Sequence, residues 1–574
     1  MMFRLITLLS ACALVLPACQ DDVAEVEVVM LLDDIDEGVQ GPDASPVPDA
    51  GPMGNGSAWV YLDDPITNAG ELTQVELMPS SFDDGRLTSS WVEVFNCLNE
   101  EGGISAMPNF GPISITVFLC HEVQSVRPDE DGNYLSIRPP EDETDPNDAF
   151  AEVMMYHHVN LAHDYFKETH GFSELDFALP ALVNVQFKTD PPVPVPGIMP
   201  GPDGWIPFSN AAFFPKENWQ AFAAQFGLPP RDKDSIIFFQ GDKDFAYDAR
   251  VIYHEYTHAV VGTGRLNGYP AYDKYGLSNA PGSMNEGLAD FFAASLADDP
   301  VIGAYVGVMG MGLRDLSDVR RCPEDSIDEV HAHGQLIGST MWAVREAVGA
   351  EVAEGIAFRA LEQFSRSTNH QQAAELILAE AEDISDAVAT QVRDIFEDHG
   401  FVDCERSRAW ERFRARLSRD RVPHLVEGTQ SAGRAGLREG VPAYKQFYVD
   451  VAADTVAVQL DWGLASGGGG FSGFPGAGGG GDEASPLALS IRKKRPVEIT
   501  YDPSMTVEED ARYTPELAND QQRIVLTGDC FPPEGGRVHT LFLNDGQSAA
   551  QINLMDIEIL DAVPDDGLVV DCTE

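Results

Sequence analysis

Along the first part of this chain, between residues 58 and 140, runs rich in β-branched and aromatic residues alternate with Gly, Asp and Pro. Examples are Trp59-Val60-Tyr61-Leu62 and Ile113-Ser114-Ile115-Thr116-Val117-Phe118. Such runs between turn residues predict β-strands. From 147 to about 262 strand-like and helix-like stretches mix, closing on an apolar helix through Val251, Ile252, Ala259, Val260 and Val261. From about 280 to 402 the period is helical, over Phe292 to Leu296, Leu336 to Val348, Val352 to Phe364, His370 to Ala381 and Ala387 to His399. Beyond Cys404 strand patterns return, at Phe447 to Val451, Val456 to Leu460, Leu487 to Ile499, Ile524 to Thr527, Val538 to Leu543 and Ile552 to Ile559. Ser466 to Gly481 is glycine-rich and predicts a flexible loop. The expected class is α+β, with a separate C-terminal β-sandwich.

The apolar helix before residue 262 carries His254-Glu255-Tyr256-Thr257-His258, and Asn285-Glu286-Gly287-Leu288-Ala289-Asp290 follows. Residues four apart share a helix face, so His254 and His258 can hold one Zn²⁺. Glu255 is offset by one step, where a carboxylate reaches a water on the metal. Glu286 can supply the third protein ligand and leave a fourth position open. Asp290, one turn on, is placed to accept the free N–H of a liganding histidine. Two imidazoles and a carboxylate are costly to bury in so apolar a helix unless something pairs them. The longer form H-E-x-x-H-x-x-G-x-x-H is excluded, because Val261 and Gly264 stand where it needs Gly and His.

With these motifs, residues 58 to 400 resemble the thermolysin and fungalysin families of zinc endopeptidases. His-Glu-Tyr-Thr-His is the fungalysin wording and Asn-Glu-x-x-x-Asp the thermolysin wording. Phe150 to Phe172 resembles the long helix before the catalytic segment. Leu313-Arg314-Asp315-Leu316-Ser317-Asp318 resembles the segment whose arginine binds the substrate carbonyl. Val330-His331-Ala332-His333-Gly334 resembles the one supplying a histidine to the tetrahedral intermediate, and Asn210-Ala211-Ala212-Phe213-Phe214 the edge strand that pairs with substrate. The resemblance implies a two-lobed zincin catalytic domain, with a mixed β/α N-lobe, a helical C-lobe and zinc on the floor of the cleft. It implies zinc on His254, His258 and Glu286, Glu255 as catalyst, and His331 with Tyr269 as oxyanion donors. Asp290 then orients a ligand, and Arg314 and Asn210 bind substrate. Tyr272 and Tyr275 compete with Tyr269 for its role.

His331 and His333 sit two residues apart and would face opposite sides of a helix. The resemblance selects His331, leaving His333 as a solvated or capping residue. Asp325 and Asp328 are candidates to orient His331. His157, His158, His163 and His170 lack a completing carboxylate and read as packing residues of a core helix. Arg250 stands where the thermolysin pattern has a calcium-binding aspartate, so calcium is not expected there, though the acidic run Asp242 to Asp248 could form a different site.

Met1 to Cys19 has Arg4, an apolar run from Leu5 to Leu16, and Leu16-Pro17-Ala18-Cys19. That is an export signal too short to span a membrane, and its end resembles the bacterial lipoprotein box. It implies a lipid on Cys19 and anchoring to the outer membrane; ordinary cleavage and secretion is the alternative. Residues 20–57 hold ten acidic residues and neither Lys nor Arg, the composition of a disordered tether. The signals divide the chain into a lipoprotein signal peptide at 1–19, an acidic tether at 20–57, an N-terminal β domain at 58–140, a zinc metallopeptidase domain at 141–402 and the β-sandwich at 403–574.

The net charge of −56 and pI near 4.3 argue against nucleic acid as a partner. The glycine-rich stretch has no phosphate-loop Lys-Ser/Thr, and no Cys/His nucleophile stands out. Peptides or proteins are the expected partners, and a monomer is expected. With Cys12 and Cys19 set aside, six cysteines remain, an even number that favours disulfides in an exported protein. Fifteen pairings are open to six cysteines; proximity suggests Cys97–Cys120 and Cys530–Cys572, leaving Cys322–Cys404. Two functions stand against each other: a surface-anchored or secreted zinc endopeptidase, and a catalytically silent surface-binding protein on a protease scaffold.

Overall fold

The computed structural model describes residues 56–572 apart from 191–203, 221–230, 415–423, 427–439, 465–486 and stretches of at most five residues elsewhere. The signal peptide, Cys19, nearly all of the acidic tether, Tyr269, Asp328 and the glycine-rich loop lie outside the described residues. Helices and strands are mixed, as the α+β class requires. Among the described residues, no helix is long and apolar enough to cross a membrane.

A five-stranded sheet supports the first half of the chain. Its strands are β1 (Val92–Leu98), β2 (His121–Val123), β3 (Leu179–Val185), β4 (Ala211–Phe214) and β5 (Ser235–Phe239), in the order β4-β5-β3-β1-β2. The pairs β5–β3 and β3–β1 are parallel, while β4 runs antiparallel to β5 at one edge. β3 is buried along its whole length, and such a parallel central strand reads as a continuous apolar run. The separate β domain expected at 58–140 is not what the sheet shows. β1 lies between β3 and β2, and Ala58, Val60, Val92 and Val94 belong to the main core. The correction has a topological cause: β1 pairs with β3, Val92 opposite Leu179, and local patterning carries no signal of so distant a partner.

Against this sheet lies α1 (Ala149–His170), capped by Asp148, whose side chain accepts from Phe150 N, and closed by Gly171 in the left-handed conformation. Its histidines pack, as expected. His158 donates Nε2–H to Tyr61 O at 2.9 Å and accepts from the Tyr253 hydroxyl at 2.7 Å, tying α1 to α2 (Ala249–Val261). His163 stacks on Trp91 and meets Asp176 at 3.1 Å, and His170 stacks on Phe358.

The helical half contains α3 (Ala280–Ala297), α4 (Val330–Val348), α5 (Ala350–Gln363), α6 (His370–Ile384) and α7 (Asp386–Asp398). The last three lie close to the expected ranges, whereas α3 and α4 begin well before the expected Phe292 and Leu336, because their first turns carry Pro, Gly, Ser, Asn and His in place of an apolar stripe. α3 and α4 approach closely at glycines. A Cβ on Gly334 would stand 2.7 Å from Ser283 O and 2.9 Å from Gly287 N, and one on Gly287 would collide with Gly334 O. Sheet, α1 and all these helices share one apolar core.

Among the described C-terminal strands, Glu498–Tyr501 and Met505–Glu508 form a separate hairpin, and most of the others form two larger sheets. One runs 407–409, 446–451, 536–544, 487–493, 511–513, and the other 413–414, 550–560, 457–464, 521–527, 569–570. Phe447, Leu489 and Leu541 of the first and Leu460, Trp462, Ile524 and Met555 of the second lie in one apolar core, distinct from that of the helical half. The expected strand at Leu487 to Ile499 is two strands, Leu487–Lys493 and Glu498–Tyr501, broken where Lys494 takes a positive φ ahead of Pro496. The three disulfides are Cys97–Cys120, Cys322–Cys404 and Cys530–Cys572, the pairing that proximity suggested.

Candidate metal centre

α2 forms despite Val251, Ile252, Val260 and Val261, whose branched side chains disfavour helix, because nearly every residue of it is buried by neighbours. Gly262, at φ +66°, ends it and returns its N–H to His258 O. The helix therefore presents His254 and His258 from one inner face. α3 approaches with Glu286 and Asp290, its entry favoured by Pro281 in the first turn. α4 brings His331 to the same place.

His254 Nε2 and His258 Nε2 lie 3.0 Å apart, and Glu286 Oε2 is 3.3 Å from the first and 3.5 Å from the second. Both rings are oriented from behind. His258 Nδ1–H donates to Asn285 Oδ1 at 2.9 Å, and Asn285 in turn donates to Leu266 O at 3.0 Å. His254 Nδ1 lies 2.8 Å from Asp290 Oδ1, a close polar contact bent away from a straight hydrogen bond. With the Nδ1 protons so held, both Nε2 atoms carry lone pairs, and they point at each other and at a carboxylate. Glu286 Oε2 is buried and accepts no formed hydrogen bond. Three converging electron pairs repel unless a cation sits among them. Tetrahedral Zn²⁺ with bonds of about 2.0–2.1 Å to nitrogen or oxygen sets its ligand atoms about 3.3 Å apart, so the donors and spacing fit zinc. Among the described residues, these three are the group close enough to hold a metal together.

Glu255 is buried beside them, and burial pushes its carboxyl above the usual range while the neighbouring histidines pull the other way. His331 Nε2 lies 3.5 Å from Glu286 Oε2, at the mouth of the cluster. Burial opposes ionising Glu286, but His331, His258 and His254 outweigh it and hold the carboxyl well below its ordinary value. Asp290 is fully buried, yet Arg314 and His254 bring it down to about 2. Arg314 donates Nε–H and Nη2–H to the two Asp290 oxygens at 2.5 and 2.7 Å, a two-pronged bond. Arg314 thus braces Asp290, the carboxylate that lies beside His254 Nδ1.

Asn210 precedes β4, the edge strand. Its carbonyl accepts from Phe239 N at 3.0 Å, and its buried Nδ2 has no hydrogen-bond partner. Tyr275 is buried and its ring faces Arg406 of the C-terminal half. Asp325 accepts from Arg321 N at 2.9 Å. Arg250 is fully buried, 3.1 Å from Asp299 and 3.4 Å from Asp63, and donates to Val301 O at 2.7 Å.

His333 departs from expectation. It is not solvated and caps nothing: it is 1% exposed, donates Nδ1–H to Asn279 Oδ1 at 2.8 Å and packs on Tyr444 and His370. The reason is that the C-terminal half covers the side of α4 that local sequence would leave to water. Asn285 enters the sequence reading only as part of the Asn-Glu-x-x-x-Asp motif and is given no role there, although its place directly before Glu286 puts it beside the ligand set.

Residues 202–378 match the family model of fungalysin metallopeptidases (M36). The match begins ahead of β4 and ends within α6, so it takes in His254, Glu255, His258, Glu286, Arg314 and His331. An extracellular metalloproteinase, MEP, of Leptosphaeria maculans is 30% identical over 135 residues, which is 21% of this chain and 21% of that protein. The chain thus spans about a fifth of that relative's length in the aligned part.

Proposed function

From this fungalysin-like metallopeptidase region, we propose that the protein is a zinc-dependent endopeptidase that hydrolyses peptide bonds in peptides and proteins. The observation that carries the reading is the convergence of His254, His258 and Glu286 with Glu255 buried alongside. A Zn²⁺ held by those three ligands would supply a Lewis acid and ease deprotonation of a water. Glu255 takes the proton from the attacking water and later passes it to the leaving amine; an acid whose pKa is raised toward neutrality suits both transfers. His331 donates to the oxygen that gains negative charge, an interaction typically worth ~3–4 kcal/mol. Tyr269 is the proposed second donor. Asp290 orients His254, and Arg314 is proposed to reach the substrate carbonyl as well as Asp290. Among the described residues β4 is an edge strand, the kind of element to which a peptide strand can add, and Asn210 Nδ2 at its start, which forms no hydrogen bond there, supports a role in binding the substrate backbone.

The arrangement fits two lobes meeting at the metal, with the C-terminal sheets as a sandwich beside them. Calcium is not proposed at Arg250, whose guanidinium already neutralises Asp63 and Asp299 there. The three disulfides and the extracellular relative suggest export. Lipid on Cys19, anchoring to the outer membrane and a monomeric state are proposed from sequence. A silent binding scaffold has no use for Glu255 and gains no support here. Incubating the purified protein with a mixed peptide library, with and without a zinc chelator, tests the function. Internal cuts that vanish with chelator are expected; an intact library in both tubes would overturn it.

A further inference from the structure

Beyond the metal cluster, three consecutive residues of the C-terminal half, leading into and opening its strand 446–451, reach toward the helical half. Tyr444 lies edge-on against His333 with ring centroids 4.5 Å apart, and the Arg406 guanidinium covers it 4.3 Å from its centroid. Lys445 donates Nζ–H to Pro323 O at 3.1 Å and Glu324 O at 3.4 Å, in the turn that leads toward α4. Gln446 holds Val497 O at 2.6 Å and approaches Tyr275 O at 3.5 Å, beside the hairpin that precedes α3. All three side chains are buried.

The targets of this grip matter more than its size. His333 stands two residues from His331 on the opposite face of α4, so whatever fixes His333 fixes the rotation of the turn that carries His331. His333 Nδ1–H in turn donates to Asn279, the residue that opens α3. The Asn279 side chain makes no cap bond to its own helix and is committed to α4 instead. A line of contacts therefore runs from Tyr444 to His333 to Asn279, joining the C-terminal half to the helix of His331 and to the helix of Glu286 and Asp290. A junction that served adhesion alone would have no reason to land on these two helix starts.

We propose that the C-terminal β half positions the metal centre, with Tyr444 as the positioning residue that sets α4, and through Asn279 α3, in register for catalysis. This rests on the peptidase reading above. Tyr444 touches neither substrate nor metal; it acts through His333. A donor displaced by about 1 Å costs up to about 10²-fold in rate, whereas ligands supplied by α2 and the middle of α3 remain in reach. The signature is thus a fall in kcat with KM and zinc content retained.

The test uses the full chain, loaded with zinc, in four variants. Tyr444→Leu keeps bulk and removes the ring; Tyr444→Phe keeps the ring; Asn279→Ala leaves the junction and cuts the tie to α3; Ile524→Ala weakens the C-terminal core from the sheet that does not carry Tyr444 to Gln446. Against a peptide cut by the wild type, Tyr444→Leu and Asn279→Ala should each lose about tenfold in kcat with KM little changed. Tyr444→Phe should restore the rate, and Ile524→Ala should lower Tm without lowering kcat. Amide hydrogen exchange over 330–336 should quicken in Tyr444→Leu and not in Ile524→Ala. Wild-type kcat in Tyr444→Leu, or an equal loss in Ile524→Ala, overturns the proposal. A wild type that cuts no peptide overturns the peptidase reading instead, and the exchange arm still decides the coupling: unchanged exchange in Tyr444→Leu refutes it.

Discussion

His258 shows how much one side chain depends on the next. Its Nε2 can serve a metal because its Nδ1 proton is given to Asn285, itself held by Leu266 O. Partners behind a liganding histidine typically contribute 10–100-fold in metal affinity. Asn285→Ala should therefore weaken zinc binding by about tenfold or more, read by competition with a chromophoric chelator. Unchanged affinity would mean that packing alone orients His258. At this scale the sequence was most informative about residues within one helix period: His254, Glu255 and His258 follow from 3.6 residues per turn, and Glu286 with Asp290 from the same spacing on α3. Asn285 was not read because an amide beside a carboxylate has no chemical signature until the facing ring is known. His333 was misread because its burial comes from Tyr444, more than a hundred residues away.

Between elements, the distance from α3 to α4 sets how close Glu286 comes to His331. Gly287, Gly334 and Gly338 allow that approach, and an added methyl at Gly287 would meet Gly334 O and Ile337. Overpacking of this kind costs roughly 1–3 kcal/mol. Gly287→Ala should lower Tm and also reduce peptidase rate, since α3 must shift and carries the ligand next door. A variant with unchanged Tm and rate would show that the helices part without disturbing the site. The last three helices are legible from apolar periodicity to within a few residues, but the first turns of α3 and α4, rich in small and polar residues, are not. The closeness of two of them was not, because a glycine inside a helix looks the same in sequence whether it faces solvent or another backbone. The same limit applied to β1, whose parallel partner β3 lies far along the chain.

Over the whole molecule, two apolar cores meet at a polar junction that buries the Lys445 side chain. Burial pulls its ammonium from 10.5 down to about 7. The folded chain thus holds that proton less well than the unfolded chain. Stability should rise with pH between about 7 and about 10.5 and be lower below that window, since there the unfolded state binds more protons. Lys445→Met lacks the titration. The Tm of the wild type minus that of Lys445→Met should therefore increase from about pH 6 to about pH 9. A flat difference would place the ammonium in water, outside the junction. Composition announced the two-part chain through its change after Cys404, but not that the parts touch at α3 and α4.

The central claim is that His254, His258 and Glu286 hold zinc while Glu255 moves the proton, and metal content measured together with peptidase rate tests it most directly. Glu255→Gln should keep one zinc per chain and lose nearly all turnover, because only the proton shuttle is removed. Glu286→Ala should lose zinc affinity and activity together. A Glu255→Gln protein without zinc, or a Glu286→Ala protein with full zinc and full rate, would contradict the account.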